Sequence, residues 1–247
     1  MPHSTDDRLD TLPPLESLPS LAARTSAFYQ QYLRKERPEV IALKAECQES
    51  INNSGIGERC LTEGDTMPPF CLPNAHGKLI STTDLLDKGP LVISFYRGSW
   101  CGFCSLEMKA MQEALPYIRE AGGELLAISP DVSQGPAELI DTLGLDFELL
   151  SDRGGEVSRQ FGLNYLMDSR LHGIYKDNFG IDIGAINEDP GWQLPITATY
   201  VVGRDHRILQ AFTDPDHTVR LEPADIVRRL RSYQRQEVSP QAREVCP

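Results

Sequence analysis

The segment Tyr96–Cys104, with the sequence YRGSWCGFC, constrains the fold more than any other part of the chain. It ends an apolar run, Leu91–Tyr96, and leads into an amphipathic helical pattern, Ser105–Glu120. Apolar runs and helical patterns go on alternating downstream, which predicts an α/β fold with a central mixed β-sheet flanked by helices. We expect further strands at 125–129, 147–150, 198–202 and 208–212 and helices at 137–143, 155–161 and 226–233.

The chain divides into three parts. Residues 15–53 carry apolar side chains at helical spacing, and a loop rich in Gly, Pro and acidic residues follows. We therefore expect an N-terminal helical arm and linker over 1–62, an α/β domain over 63–236 and a polar tail over 237–247. Residues 164–195 do not fit the alternation, and an insertion of this length is either functional or a surface flap.

Charge and hydropathy exclude several classes of function. The formal net charge of −12 opposes sequence-independent attraction to nucleic acid and to anionic membrane surfaces. No apolar run approaches the roughly 20 residues that span a bilayer, and the acidic N-terminus lacks the apolar core of a signal peptide. These features predict a soluble, cytoplasmic protein with neither nucleic acid nor membrane as a partner.

The cysteines are better suited to redox chemistry than to a disulfide scaffold. Six cysteines in 247 residues are sparse and irregularly spaced, which indicates a reducing compartment with a catalytic CxxC pair. By default, Cys47, Cys60 and Cys71 are small buried hydrophobes or incidental. Two alternatives for the pair are half of a zinc site and two inert buried thiols. Zinc would need a second ligand pair of similar spacing, and the glycines beside the pair favour an exposed turn.

Position in the fold favours a reactive thiol. Only the thiolate attacks, and a free cysteine with a pKa of about 8.5 is mostly protonated at neutral pH. Cys101 and Cys104 lie where a strand ends and a helix begins, so unpaired N–H groups and the positive end of the helix dipole favour the anion. Along the helix, Glu107 is expected on the outward, polar face. One cysteine can then attack while the other, one helical turn away, resolves.

A family resemblance adds to this interpretation. The segment GDTMPPF at 64–70, the FYRGSWCGFC segment and a late TYVV strand resemble the peroxiredoxin-like branch of the AhpC/TSA family, thioredoxin superfamily. Tyr175, the WQLP segment at 192–195 and the RLEPAD segment at 220–225 resemble that branch too. The resemblance implies a thioredoxin-like fold and reduction of hydrogen peroxide or an organic hydroperoxide without a cofactor. It also implies recycling by thioredoxin or a glutaredoxin-like dithiol, and leaves a homodimer open.

Two superfamily patterns assign the sulfurs differently. In the thioredoxin pattern Cys101 attacks and Cys104 resolves. In the peroxiredoxin pattern Cys104 is the peroxidatic cysteine, Cys101 replaces the hydroxyl that binds peroxide, and Glu107 matches an acidic residue. We take Cys104 as the first attacker, forming a sulfenic acid that condenses with Cys101.

Supporting residues depart from both patterns. Arg97 replaces the peroxiredoxin proline, and Thr197 occupies the place of the peroxiredoxin arginine and of the thioredoxin cis-proline. Arg97 either replaces the missing arginine or is a solvent-exposed loop residue. Trp100 is expected to pack against and shield the sulfur. Cys246 could resolve an oxidised Cys104 of another chain, although a loose terminal thiol is the simpler interpretation. We expect solvated histidines at positions 76, 172, 206 and 217.

Two rival functions remain open. The first is general thiol–disulfide exchange with protein substrates, in which Cys101 attacks. The second is a non-enzymatic redox sensor or binding module that holds a partner through the arm and residues 164–195.

Overall fold

A five-stranded mixed sheet forms the centre of the molecule, which the computed structural model describes from residue 12 to residue 238. The strands are β1 (Cys71–Pro73), β2 (Leu79–Ser81), β3 (Leu91–Phe95), β4 (Glu124–Ser129), β5 (Glu148–Ser151), β6 (Asn164–Leu166), β7 (Gln193–Pro195), β8 (Thr197–Val202) and β9 (Ile208–Asp214). The central sheet has the order β5-β4-β3-β8-β9. The β3–β4 and β4–β5 pairs are parallel, whereas β8 runs antiparallel to both neighbours.

Helices cover both faces of this sheet. They are α1 (Leu21–Lys35), α2 (Pro38–Asn52), α3 (Thr82–Leu86), α4 (Gly102–Glu120), α5 (Gly135–Leu143), α6 (Glu156–Gln160), α7 (Arg170–Gly173), α8 (Ile183–Ile186) and α9 (Pro223–Val238). A single π-helical turn, Ile174–Asn178, continues α7. The α/β, thioredoxin-like architecture with a central mixed sheet is confirmed, and the predicted elements differ from the observed ones mainly at their ends. No helix within 12–238 is long and apolar enough to cross a membrane.

Strand β3 lies at the middle of the sheet because both of its faces are apolar. Leu91, Ile93 and Phe95 contribute to the core beneath the sheet, and Val92 points into the core on the opposite face. This alternation follows the two-residue period of a strand. The end of β3 is therefore fixed from both sides, and the loop that follows starts from a rigid point.

Helix α4 begins three residues earlier than the sequence pattern predicts, at Gly102 instead of Ser105. Its apolar face, which includes Met111, Leu115 and Ile118, packs on the sheet as expected. The expectation that Glu107 faces outward is wrong, since this side chain is only 1% exposed. Glu107 is buried because Arg220, from the loop before α9, pairs with its carboxylate inside the protein.

Helices α1 and α2 form the arm that the sequence predicts. The carboxylate of Glu222 accepts hydrogen bonds from the backbone N–H groups of Leu21 and Ala22, at 3.0 and 2.9 Å, and so caps α1. Arg24 then pairs with Glu113 of α4 at 2.6 Å. These contacts fix α1 against the middle of α4 and the loop before α9. The domain boundary near residue 62 stays a prediction.

The segment 164–195 has a hydrophobic cluster of its own. Tyr175, Ile183, Trp192 and Leu194 are buried there together with Cys47 of α2. This cluster packs the segment against α2 of the arm, and its interpretation as an insertion stays a prediction. In the predicted tail, α9 continues to Val238; the rest of that tail, including Cys246, lies outside the described residues.

Candidate active site

The cysteine pair occupies the junction between β3 and α4, as the sequence predicts. Cys101 is the N-cap residue of α4 and Cys104 lies in its first turn. Gly98 makes the turn possible: its φ is +148°, and a Cβ atom there would lie 2.3 Å from Nε1 of Trp100. Both cysteines are free thiols. The dithiol thus begins a helix of 19 residues whose dipole favours an anion at this end.

A buried aspartate holds the loop before the pair. Asp131 follows the neighbouring strand β4 and is fully buried. Its carboxylate accepts hydrogen bonds from the backbone N–H and the hydroxyl of Ser99, at 3.1 and 2.6 Å. Since β3 and β4 are parallel, their carboxyl ends lie side by side, and this places Asp131 next to the loop. The role of Asp131 gives no signal in the sequence, because it depends on strand order.

Cys101 and Cys104 differ in access. Both thiols are buried, so the expectation of an exposed turn at the pair is wrong, but Cys101 is 4% exposed and lines a cleft of about 400 Å³. Cys104 is 0% exposed and does not line that cleft. The two superfamily patterns disagree on the attacking sulfur, and these positions favour Cys101 as the one that a ligand in the cleft reaches first.

Arg220 is the cation beside the inner sulfur. Its Nη2 donates to Sγ of Cys104 at 3.5 Å, its Nε to Oε2 of Glu107 at 2.7 Å, and its Nη1 to Oγ1 of Thr197 at 3.2 Å. Cys104, Glu107 and Thr197 are thus brought together by one guanidinium. Sequence reasoning missed the role of Arg220, although the segment that it begins carried part of the family resemblance. Its side chain reaches the pair only through the packing of the loop before α9.

Arg97 lies on the other side of the pair. It is 3% exposed, so the interpretation of Arg97 as a solvent-exposed loop residue is wrong. Its Nη2 donates to the hydroxyl of Tyr175 at 3.3 Å, and its guanidinium carbon lies 4.9 Å from the ring centroid of Trp100. Trp100 also packs edge-to-face against Tyr175 at 5.7 Å. The segment 164–195 therefore contributes Tyr175 directly to the site.

These surroundings separate the pKa values of the two thiols. A hydrogen bond from the Cys104 thiol stabilises the Cys101 thiolate most, and together with the positive charges of Arg97 and Arg220 it outweighs burial, so that the pKa of Cys101 falls to about 5. Burial raises the pKa of Cys104 well above its ordinary value, and its hydrogen bond to Cys101 adds to the effect. One proton is thus held on Cys104 while Cys101 is the anion.

The arm closes the outer side of the cleft. The ring of Phe28, from α1, packs edge-to-face on Phe103 with centroids 4.9 Å apart. A Cβ atom on Gly102 would lie only 2.5 Å from Phe28, so this ring lies directly over the residue that follows Cys101. The arm therefore limits which molecules can approach the pair.

The prediction of solvated histidines is wrong at two positions. His217 is half-buried, packs edge-to-face on Phe103 at 5.5 Å and contacts Gln48 through Nδ1 at 3.1 Å. Burial lowers the pKa of His217 well below its ordinary value. His172 stacks on Trp192 with centroids 4.0 Å apart. Their aromatic neighbours lie far away in sequence, which explains why local composition did not reveal them.

The cysteines outside the pair, within residues 12–238, are in different environments. Cys47 and Cys60 are buried, as expected of small hydrophobes, whereas Cys71 is exposed on β1. In the same part of the chain, no group of three or more His, Cys, Asp or Glu side chains could hold a metal ion.

Comparisons with known proteins show which family the chain resembles in sequence. The pattern of the AhpC/TSA family matches residues 64–211. A putative peroxiredoxin bcp of Buchnera aphidicola is 33% identical over 125 residues, which cover 49% of this chain and 78% of that protein. The thiol-disulfide oxidoreductase ResA of Bacillus thuringiensis is 31% identical over 109 residues, which cover 44% and 62%.

A solved structure supports the fold. Peroxidoxin BcpB from Mycobacterium tuberculosis superposes with a TM-score of 0.54 at 23% identity, over 70% of this chain and 97% of that one. The family pattern covers more than half of the 247 residues and includes the strand-to-helix junction with both cysteines. The chain therefore belongs to the AhpC/TSA family, and within the thioredoxin superfamily it is a peroxiredoxin-like oxidoreductase.

Proposed function

We propose that this protein is a thiol-dependent peroxide reductase in which Cys101 attacks the peroxide and Cys104 resolves the product. One observation carries the proposal: Cys101 lines an open cleft at the N-terminus of α4, and Cys104 lies one turn further along the helix, outside that cleft. This assignment reverses the roles expected from the peroxiredoxin pattern. It keeps the expected chemistry, a sulfenic acid followed by a disulfide.

The first step transfers one oxygen atom. The Cys101 thiolate attacks the terminal oxygen of ROOH, the O–O bond breaks, and Cys101 becomes a sulfenic acid that retains the hydroperoxide proton. The leaving alkoxide takes the proton of the Cys104 thiol and departs as the alcohol ROH. Arg97 and Arg220 stabilise the negative charge on Cys101 before the attack, since both lower the pKa of its thiol.

The second step closes the disulfide. Cys104, now a thiolate beside Nη2 of Arg220, attacks the sulfur of the Cys101 sulfenic acid, and hydroxide leaves and is protonated to water. The sum is two thiols and ROOH giving a disulfide, ROH and H₂O. A thioredoxin or glutaredoxin-like dithiol then reduces the disulfide, and no cofactor enters the cycle. A homodimer and a cytoplasmic location stay predictions.

Thiol–disulfide exchange is a second candidate because of the ResA relative and the thioredoxin-like position of Cys101. Phe28 over Gly102 weighs against a large protein substrate, since it covers the face where such a chain would bind. Oxidation by hydrogen peroxide faster than that of free cysteine supports the peroxidase, and a rate no faster than free cysteine supports exchange.

Single cysteine variants test the order of attack. In Cys104→Ser, peroxide should give a stable sulfenic acid on Cys101, detected by dimedone labelling and mass spectrometry. In Cys101→Ser, labelling at Cys104 should be much slower, because burial raises the pKa of that thiol and favours its protonated form. Cys60→Ser, a buried thiol outside the site, is the matched control and should behave as wild type.

The opposite outcome is equally informative. The Cys101→Ser variant places a hydroxyl where peroxiredoxins have one. Rapid sulfenic acid formation at Cys104 in that variant would show that Cys104 attacks first. If neither single variant reacts with peroxide faster than free cysteine, the peroxidase proposal is wrong.

A further inference from the structure

A lysine from the arm lies in the cleft beside the cysteine pair. Lys44, on α2, is half-buried, and its Nζ lies 4.8, 5.1 and 4.4 Å from the ring centroids of Tyr32, Tyr175 and Phe179. Within residues 12–238, no carboxylate oxygen lies within 4 Å of this ammonium group. Burial lowers the pKa of Lys44, which an anionic ligand would oppose. Aromatic faces are thus the direct contacts of the ammonium, while the charges of Glu36 and Cys101 act on it from beyond 4 Å.

The same cleft has a second cation without an acidic partner. Arg97 lines it and donates to the hydroxyl of Tyr175, while its buried Nε has no hydrogen-bond partner among the described residues. Tyr175 thus contacts both cations. The thiolate of Cys101 is one anion that can balance them. Lys44 and Arg97 therefore share the cleft with one thiolate, and among the described residues no carboxylate contacts Lys44 directly.

Acidic side chains on the cleft do not neutralise Lys44. Asp216 accepts a hydrogen bond from the backbone N–H of Thr218 at 2.9 Å, and its carboxylate thus stabilises the turn in which it lies. Glu49 is exposed on α2, five residues after Lys44, which is more than one helical turn away. The cation and the aromatic rings therefore form one end of the cleft.

The remaining wall of the cleft is apolar and suits the hydrocarbon part of a ligand. Phe28, Tyr29, Ile41, Phe103 and Ile181 line the cleft around Cys101. Its volume of about 400 Å³ lies within the range of about 300–1,000 Å³ that is usual for small-molecule sites. Hydrogen peroxide would leave most of this space unused. The cleft thus combines an apolar wall, a reactive cysteine and an ammonium group that has no direct carboxylate contact among the described residues.

We propose that the preferred substrate is an organic hydroperoxide that carries a carboxylate, with Lys44 binding the carboxylate and the aromatic wall holding the apolar body near Cys101. This inference rests on the proposed peroxidase function and names the class of its substrate. Lys44 belongs to the arm, outside the residues 64–211 that match the family, so the selectivity is a property of this chain's own N-terminal helices.

The first experiment compares two hydroperoxides that differ only in charge: cumene hydroperoxide and its ring-carboxylated analogue. For the wild-type protein, kcat/KM should be about tenfold higher for the carboxylated compound, the factor that one charge-assisted contact brings. Lys44→Met should remove this preference and Lys44→Arg should keep it. Lys88→Met removes the same charge from an exposed turn far from the cleft and should also keep it. A preference that survives Lys44→Met overturns the proposal.

The second experiment measures binding without turnover. The carboxylated tertiary alcohol, which is the reduced form of the analogue, is titrated into the reduced protein by calorimetry. Its Kd should rise about tenfold in Lys44→Met and stay unchanged in Lys88→Met. Equal affinity for wild type and Lys44→Met overturns the carboxylate site. If the alcohol binds through Lys44 but no hydroperoxide is reduced, the carboxylate site stands and the peroxidase function fails.

Discussion

The two thiols of the pair have unlike surroundings although only two residues separate them. Cys101 lies between Arg97 and Arg220 at a helix N-terminus and accepts a hydrogen bond from Cys104. Cys104 is sealed behind it, and burial raises its pKa. A difference of this kind assigns distinct tasks to two chemically identical side chains, an anion that attacks and a proton-bearing thiol that follows.

The pH dependence of alkylation should report the Cys101 thiolate. With a pKa of about 5, the thiolate is fully formed at pH 7, and the iodoacetamide rate should fall as pH drops through 5. Arg97→Met should move the midpoint upward by about one unit, the shift that about 1.4 kcal/mol of lost charge stabilisation brings. Mass spectrometry of the Cys101 peptide gives the rate. Arg153→Met, an exposed site, is the control, and a wild-type midpoint near 8.5 contradicts the assignment.

Replacing one partner of the buried Arg220–Glu107 ion pair should destabilise the fold more than replacing both. Arg220→Met leaves the Glu107 carboxylate without its cation, which should lower the free energy of unfolding by about 3–5 kcal/mol. Adding Glu107→Gln should recover part of that loss. Urea denaturation of the wild type, both single variants and the double variant gives the coupling free energy between the two side chains. The partly exposed pair Arg24–Glu113 is the comparison and should contribute about 0–1 kcal/mol; equal couplings for the two pairs contradict this account.

At the scale of elements, three separate segments meet at the N-terminus of α4. Helix α1 covers Gly102 through Phe28, the segment 164–195 brings Tyr175 to Arg97, and the loop before α9 brings Arg220 to Cys104. None of them is adjacent to the pair in sequence. The helix end thus supplies the anion site, while the other elements decide what reaches it.

Truncating Phe28 should open the pair to larger reagents. In Phe28→Ala, Cys101 should react several-fold faster with a bulky maleimide and little faster with iodoacetamide, because the ring blocks the approach over Gly102. Phe28 is 37% exposed, so the loss in unfolding free energy should be about 1–2 kcal/mol. Phe70→Ala, which removes a ring on the opposite face of the sheet, is the control. Equal acceleration with both reagents would indicate general loosening instead of a local cover.

Much of this arrangement follows from local sequence. The apolar run of β3, the CxxC pair and the amphipathic pattern of α4 predict a dithiol at a strand-to-helix junction, and the helical spacing over 15–53 predicts the arm. The positions that local sequence misplaced are those fixed by distant partners. Glu107 looks like an outward-facing residue until Arg220 is placed beside it, and His217 looks solvated until Phe103 and Gln48 surround it.

At the scale of the whole molecule, the arm belongs to the same packed unit as the site. Arg24 of the arm pairs with Glu113 of α4. Glu222, in the loop before α9, accepts a hydrogen bond from the first turn of α1. The cleft lies between the arm and the domain, with Lys44 on one side and Cys101 on the other. The shape of the substrate site therefore depends on how firmly the arm is held.

Removing the cap on α1 should loosen the arm. In Glu222→Ala, the N–H groups of Leu21 and Ala22 lose their acceptor, and hydrogen exchange over 21–35 should become faster by a factor that corresponds to about 1 kcal/mol. Hydrogen–deuterium exchange with mass spectrometry measures this directly. Asp182→Ala, which removes the cap of α8, is the control and should leave 21–35 unchanged. Unchanged exchange over 21–35 in Glu222→Ala contradicts this role for the carboxylate.

Arg220 and Glu222 are two positions apart in one loop, and they point to the inner sulfur and to the first turn of the arm, respectively. One short loop therefore supplies both the cation beside the buried thiol and the carboxylate that holds the arm, so a substitution that displaces this loop should alter both contacts.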